Sequence, residues 1–378
     1  MRKRLLTLIA VALLATAGTA GCTKAGASGD GGGSTLAAKI GVILPDTTSS
    51  PRWTTYDPPF LQRVFDAAKL PVLIENAHGD KARFAKLADQ MIAAGVKVLL
   101  IVSLDPDSGS AVLKKARDAG IKTIDYDRLT LGGGADYHVS FDNVQAGVLM
   151  ANGLVDCLRA RNAANPVIAE LNGPGTDNNA TMFKTGYDSV LQTRYDTAEY
   201  TKGPDQEVPG WNETEAAAIF GQMLDQQPKI RGVLAANDGL ARAAIGVLAK
   251  HGLNGKVPVT GQDATIQSLR DILTGDQCMT VYRAVKPEAD AAANLAVDLY
   301  HGWKPTRQSL GLPEGTNVSK LKDPVSGAYV PYVGLAPQLI TVSNMQMLIN
   351  DSFVLTSELC GGEPYARLCR ENGIGLLS

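Results

Sequence analysis

Carboxylate, guanidinium, amide and indole side chains recur in this chain directly after short apolar runs. Arg52-Trp53 follow the run ending at Leu44, Asp125-Tyr126-Asp127-Arg128 close the run from Ile121, and Asp177-Asn178-Asn179 follow the run ending at Leu171. Gly210-Trp211-Asn212 precedes a helical segment, and Ala236-Asn237-Asp238, Gly261-Gln262-Asp263 and Val281-Tyr282-Arg283 close three later runs. This chemistry suits a neutral, polyhydroxylated ligand. A hydroxyl both donates and accepts, so a carboxylate opposite an Arg or amide holds adjacent hydroxyls of one ring. An indole face covers the ring's apolar C–H face while polar groups hold its rim. Each residue also has a plainer reading. An Asn or Asp after a strand caps a helix, a Trp fills a core, and an Asp-Arg neighbour pair is a solvated ion pair of little consequence. Recurrence at successive run ends in both halves of the chain favours the ligand.

The elements that position these residues alternate from Lys39 onward. Strands are predicted at Ile40 to Leu44, Val72 to Ile74, Val96 to Val102 and Ile121 to Tyr126. After Asn143 they are predicted at Val167 to Leu171, Val233 to Ala236, Val257 to Gly261 and Met279 to Tyr282. Three-to-four spacing predicts helices through Phe60 and Phe65, from Phe84 to Ile92 with Asp80 as cap, and from Ala111 to Ala119. Further helices fit Val144 to Leu158, Met182 to Gln192, Glu213 to Leu224, Leu240 to Lys250 and Ile266 to Leu273. Continuous apolar strands separated by helices mean parallel sheets covered on both faces. The fold class is therefore α/β, with two doubly wound halves and a cleft at the carboxyl ends of their strands.

Composition narrows the function. The 378 residues carry 36 Lys+Arg against 38 Asp+Glu, a net charge of −2, with 45% apolar residues. That balance argues against a nucleic-acid partner, which needs clustered basic residues. Four His and five Cys, with no C-x-x-C or Cys/His ligand spacing, point to no metal and no cofactor. Arg2-Lys3-Arg4, the apolar stretch from Leu5 to Ala15 and the small residues Thr19-Ala20-Gly21 read as an export signal over 1–21. Its apolar core is too short to span a membrane, which takes roughly 20 residues. A small residue before Cys22 resembles a lipoprotein cleavage site. Residues 22–38, rich in Gly, Ser and Ala, would then tether a lipidated Cys22 to the folded domain. The alternative is an ordinary secretory signal releasing a free periplasmic or secreted protein. Cys157, Cys278, Cys360 and Cys369 allow three disulfide pairings, of which Cys360–Cys369 is the easiest local closure.

Six strings carry a family resemblance: Tyr126-Asp127-Arg128-Leu129, Ser140-Phe141-Asp142-Asn143, Asp177-Asn178-Asn179-Ala180, Ala235-Ala236-Asn237-Asp238, Thr260-Gly261-Gln262-Asp263-Ala264 and Met279-Thr280-Val281-Tyr282-Arg283. In order and spacing, from about Lys39 to Asp351, they resemble the bacterial periplasmic xylose-binding proteins and their multiple-sugar-binding relatives, which are type I periplasmic binding proteins. The resemblance implies a type I periplasmic binding protein fold of two doubly wound lobes joined by a three-segment hinge. Its crossings would lie near Asp142, near Ala284 and between Leu312 and Lys320. The first lobe would be 39–142 plus 284–315, and the second 143–283 plus 316–378.

The same resemblance implies sugar contacts from Arg52, Trp53, Asp127, Arg128, Asp177, Asn179, Trp211, Asn237, Asp263 and Arg283. Arg283 stands where the family usually has Lys, and the stretch from Asp46 to Phe60 departs from the pattern with Pro51, Pro58 and Pro59. The implied function is capture of a monosaccharide, xylose or a related aldose, by hinge closure. Delivery would be to an ABC transporter permease, by a monomer anchored to the membrane through Cys22. A sugar sensor reporting to a membrane receptor is an alternative. A glycosidase using two of Asp127, Asp177 and Asp263 is another, against which neighbouring Arg and amide groups are expected to hold these carboxylates ionised.

Overall fold

A computed structural model describes residues 39–313, 316 and 318–375; the export signal, the tether and Cys22 lie outside the described residues. The chain opens with β1 (Ile40–Leu44), α1 (Arg52–Thr55), α2 (Asp57–Ala67), β2 (Val72–Asn76), α3 (Lys81–Ala93), β3 (Val98–Ile101), α4 (Pro106–Asp118), β4 (Lys122–Tyr126) and β5 (Tyr137–Phe141). A second run follows as α5 (Asn143–Ala160), β6 (Val167–Asn172), α6 (Asn178–Asp196), β7 (Thr201–Glu207), α7 (Glu213–Gln226), β8 (Ile230–Ala235), α8 (Asp238–Lys250), α9 (Ile266–Thr274) and β9 (Thr280–Tyr282). The remainder is α10 (Val285–His301), β10 (Val318–Lys322), β11 (Tyr329–Leu335), β12 (Gln338–Ile340), α11 (Gln346–Asn350), α12 (Thr356–Leu359) and α13 (Tyr365–Glu371).

The first lobe's sheet runs β10-β11-β5-β4-β3-β1-β2, parallel except for β10. Its strands β1 and β3 carry no polar side chain because both faces are covered. Ile40, Val42 and Leu44 of β1 and Val98 and Leu100 of β3 join a core with α2 and α10. The alternate residues Ile43, Leu99 and Ile101 turn to α3 and α4. In the second lobe β6 lies between β7 and β8, all parallel, while β9 and β12 form an antiparallel pair. There α5 and α6 cross closely, because a Cβ on Gly147 or Gly186 would run into the backbone of the other helix. Asp80, Asp105, Asp142, Asp177, Asn212 and Asn237 each cap the helix that follows with a side-chain oxygen.

Two expectations are corrected. Residues 318–335 belong to the first lobe's sheet, since β11 pairs with β5 over Tyr332↔His138 to Leu335↔Phe141 and β10 pairs with β11. The third crossing therefore falls between Leu335 and Gln338, not between Leu312 and Lys320. The stacking of Tyr332 on His138, 5.2 Å between centroids, and the Tyr332 hydroxyl bond to the Phe141 carbonyl at 2.6 Å fix this pairing. The second correction concerns Val257 to Gly261, which forms one bridge, Val233↔Val259, and no strand. Pro258 has no N–H to donate, and the Thr260 hydroxyl, bonded to both the N–H and the C=O of Ala235, takes over what would be ladder positions.

Cys157 is bonded to Cys278 and Cys360 to Cys369. The second bridge lies in a tail that packs Met345, Leu348, Val354, Leu359 and Cys369 against α9 through Leu269, Ile272 and Leu273.

Candidate ligand-binding site

A cavity of about 310 Å³ lies between the lobes, at the carboxyl ends of their strands. Trp53, Asp127 and Arg128 reach it from the first lobe; Asp177, Asn179, Trp211, Asn237, Asp263 and Arg283 reach it from the other side. Nine of the ten residues named from the sequence are thus brought to one wall-to-wall site. Arg52 is not among the residues lining it. Ser49, Ser50, Phe183 and Gln262 line it as well and were not singled out. Gln262 had a signal, being the neighbour of Asp263 in the same string. Phe183 sits one helical turn after Asn179, where it reads as helix core.

The helix-cap reading and the site reading of Asp177 and Asn237 are both true, on different atoms. Asp177 Oδ1 accepts from the Asn179 N–H at 3.0 Å and caps α6, while Oδ2 accepts from Trp211 Nε1 at 3.2 Å and meets Arg128 Nε at 3.0 Å. Asn237 Oδ1 caps α8 through the Leu240 N–H at 2.9 Å, leaving its NH₂ directed across the cleft to the Ser49 carbonyl at 3.5 Å. Trp211 packs over Gly173 so closely that a Cβ there would enter the indole ring. Three site residues hold left-handed backbone, Asp127 at φ 61°, Trp211 at φ 58° and Asp263 at φ 114°. Such conformations raise the energy by about 1–3 kcal/mol each and cluster at ligand clamps.

Charge closes the cleft. Asp127 Oδ1 receives Arg283 Nη1 at 3.0 Å and Asn179 Nδ2 at 3.2 Å, with Arg52 Nη1 at 3.6 Å. Asn179 Oδ1 in turn accepts from Asn143 Nδ2 at 2.9 Å. Ser50 Oγ donates to Asp263 Oδ2 at 3.2 Å, and Arg283 Nη2 lies 3.5 Å from Asp263 Oδ1. Burial alone would raise the Asp127 pKa, but Arg283, Arg52 and Arg128 outweigh it and hold the group below the ordinary carboxylate range. Asp263 goes the other way: its burial outweighs Arg283 and Arg52, with Asp127 adding repulsion, so its pKa is raised. The Arg groups beside Asp263 thus offset its burial only in part, whereas at Asp127 they outweigh it.

Arg52 stands behind the cavity. It is buried, forks onto Asp57 with Nε–Oδ2 2.9 Å and Nη2–Oδ1 2.8 Å, and donates to Glu288 Oε2 at 2.6 Å. Its guanidinium lies 4.3 Å from the Trp53 ring centroid, so it supports one cavity wall. Glu288, on α10 just past the second crossing, has no exposure and, among the described residues, no partner for Oε1. Burial pushes its carboxyl up to about 8, Arg52 offsetting only part of that and Asp127 adding to it.

A raised folded pKa means the folded state holds the proton more tightly than the unfolded chain. The Glu288 contribution is full below the unfolded value and is lost as pH rises to about 8. Asp125 and Asp238, each raised to about 7 chiefly by burial, act in the same sense but finish earlier. His138, lowered by burial to about 4, acts oppositely, gaining stability as pH rises, and its change is complete by its ordinary value near 6.5. Between pH 7 and 8 Glu288→Gln is therefore expected to flatten the fall in unfolding free energy, by at most about 1.4 kcal/mol per pH unit. Urea unfolding at the two pH values measures this, and parallel profiles would refute the assignment.

Two doubly wound lobes with a polar cavity where their strand ends face each other define a class of protein that closes around a small ligand. Residues 40–304 match the periplasmic binding protein domain family. Over 323 residues the chain is 33% identical to the D-xylose-binding periplasmic protein of Escherichia coli (strain K12), covering 85% of this chain and 92% of that protein. It is 32% identical over 284 residues to the multiple sugar-binding periplasmic receptor ChvE of Rhizobium radiobacter, covering 70% of this chain and 79% of that one. A solved carbohydrate transporter solute binding protein from Chloroflexus aurantiacus, in complex with D-glucose, superposes with a TM-score of 0.74 at 26% identity. That match covers 85% of this chain and 98% of the solved one. The chain belongs to the periplasmic binding protein family, with the type I fold.

Proposed function

We propose that this protein is the extracytoplasmic substrate-binding component of a sugar ABC importer. It takes a monosaccharide, xylose or a related aldose, into the cleft and presents the closed form to the permease. The observation that carries this reading is the single cavity walled by Asp127 and Arg128 on one lip and Asp177, Asn179, Asn237 and Asp263 on the other, with Trp53 and Trp211 as flat faces. A ligand bonded to both lips favours closure, because only the closed state satisfies both sets of bonds. The names of the relatives, which bind D-xylose and several sugars, support the ligand class. The three crossings at Asp142, at Arg283–Ala284 and between Leu335 and Gln338 serve as the hinge. Cys22, lipidated, anchors a monomer to the membrane.

Capture without chemistry is expected. The opposite pKa directions of Asp127 and Asp263 are nonetheless the pattern a carboxylate pair shows in glycosidases. A thermal-shift screen against xylose, glucose, galactose, arabinose, ribose and fucose tests the main reading. A ligand at 100 times its Kd adds about 2.7 kcal/mol of stability, so one or two aldoses should raise Tm by several degrees. No shift with any aldose would overturn it. Turnover of aryl glycosides by the same preparation would replace it with the enzyme reading.

A further inference from the structure

A second cavity of about 750 Å³ lies beside the first in the cleft, and Ser50 and Asp263 belong to the walls of both. The partition is thin, with one hydrogen bond across it, Ser50 Oγ to Asp263 Oδ2 at 3.2 Å. The second cavity presents Tyr56, Ile266 and Phe353 as apolar walls and Arg242 and Gln267 as polar ones. Tyr56 and Phe353 stack at 5.5 Å between centroids with 29° between their planes, and Phe353 leans on Tyr282 at 4.8 Å. Tyr56 follows α1 in the first lobe and Phe353 belongs to the tail, so this aromatic wall bridges the cleft. The tail's disulfide, Cys360–Cys369, and its packing on α9 hold Phe353 there.

An apolar face of ring size with donors and acceptors at its rim is the surface a pyranose occupies. The first cavity is the smaller of the two. A hydroxyl of a ring held there and meeting the Ser50–Asp263 partition, once glycosylated, leads directly into the larger space. We propose that the cleft accepts disaccharides, the first ring among Asp127, Asp177 and Arg283 and the second against Tyr56 and Phe353. This rests on the sugar-binding reading above and adds a second subsite to it.

Calorimetric titration tests it, with the aldoses named above and a panel of disaccharides including xylobiose, cellobiose and maltose. At least one disaccharide is expected to bind at one per chain and to be displaced by the aldose. Ile266→Trp and, independently, Gln267→Trp fill the second cavity without touching the first. Each should weaken the disaccharide more than tenfold and the aldose less than threefold. The proposal is overturned if an aldose binds and no disaccharide competes with it, or if both filling variants, folded by circular dichroism, leave the disaccharide unchanged. If neither aldose nor disaccharide binds, the sugar reading itself fails and takes this one with it.

Discussion

Asp127→Asn is expected to weaken sugar binding by a factor of about 100 or more while the protein remains folded. In the cleft all three cationic or amide neighbours, Arg283, Asn179 and Arg52, address Oδ1. Among the described residues none donates a hydrogen bond to Oδ2, and Asp127 lines the cavity. An ionised acceptor oriented from behind and free in front is the group a pair of ring hydroxyls needs. A hydrogen bond to a charged partner is worth about 1.5–3 kcal/mol, so two of them correspond to roughly 10²–10⁴ in Kd. Asn keeps the shape, and it accepts the left-handed backbone of φ 61° better than most residues. What it removes is the charge that offsets Arg283. Arg283 retains Asp263 at 3.5 Å, so the loss of stability should be smaller than the loss of affinity. Titration calorimetry beside a thermal melt separates the two. Affinity within threefold of the parent would exclude Asp127 from the site.

The same residue indicates how far the sequence could be read. Asp127 follows an apolar run that ends a buried parallel strand, and a strand of that kind announces itself because both its faces need apolar side chains. β1, β3, β4, β6 and β8 were legible for this reason, and with them the loop positions where a ligand sits. β5 was not: its buried His138 and Ser140 break the apolar run, yet each finds a carbonyl partner, Asp125 at 3.1 Å and Asp127 at 2.7 Å. β7, Thr-Lys-Gly-Pro-Asp-Gln-Glu in sequence, lies at the edge of its sheet and has no buried residue to signal it. The return of β10 and β11 to the first sheet was hidden as well, because β11 carries Pro331 and alternates buried with half-exposed residues. Charge was the least legible property. Asp127 and Asp263 look alike as loop aspartates, and what separates their pKa directions is the charge around each: Arg283, Arg52 and Arg128 beside Asp127, against Arg283, Arg52 and the repelling Asp127 beside Asp263.

Arg52 is where the resemblance and the geometry part, and its replacement gives the largest expected loss of stability. Its guanidinium is 2% exposed, pairs with Asp57 and Glu288, and lies 3.6 Å from Asp127, farther than Arg283 at 3.0 Å. The Tyr126 hydroxyl donates to the same Asp57 and lies 3.2 Å from Arg52 Nη2. Removing one partner of a buried ion pair leaves the other charge uncompensated, which destabilises by about 3–5 kcal/mol. Arg52→Met keeps the apolar stem against Trp53, so its loss should be of that size rather than larger. Monosaccharide affinity should fall less than tenfold, because Arg52 lines the second cavity and reaches the first only through Asp127 and the Trp53 wall. Without the guanidinium, Glu288 and its neighbours hold their protons more tightly in the folded state, so the deficit should shrink as pH falls from 8 toward 5. Glu288→Gln in the same background should recover part of the loss at pH 8, since it removes one stranded carboxylate. Urea unfolding of the single and double variants at both pH values, with calorimetric titration of the sugar, checks each step. A variant that keeps its stability but loses binding as completely as Asp127→Asn would return Arg52 to direct contact with the ligand, as the family resemblance implies.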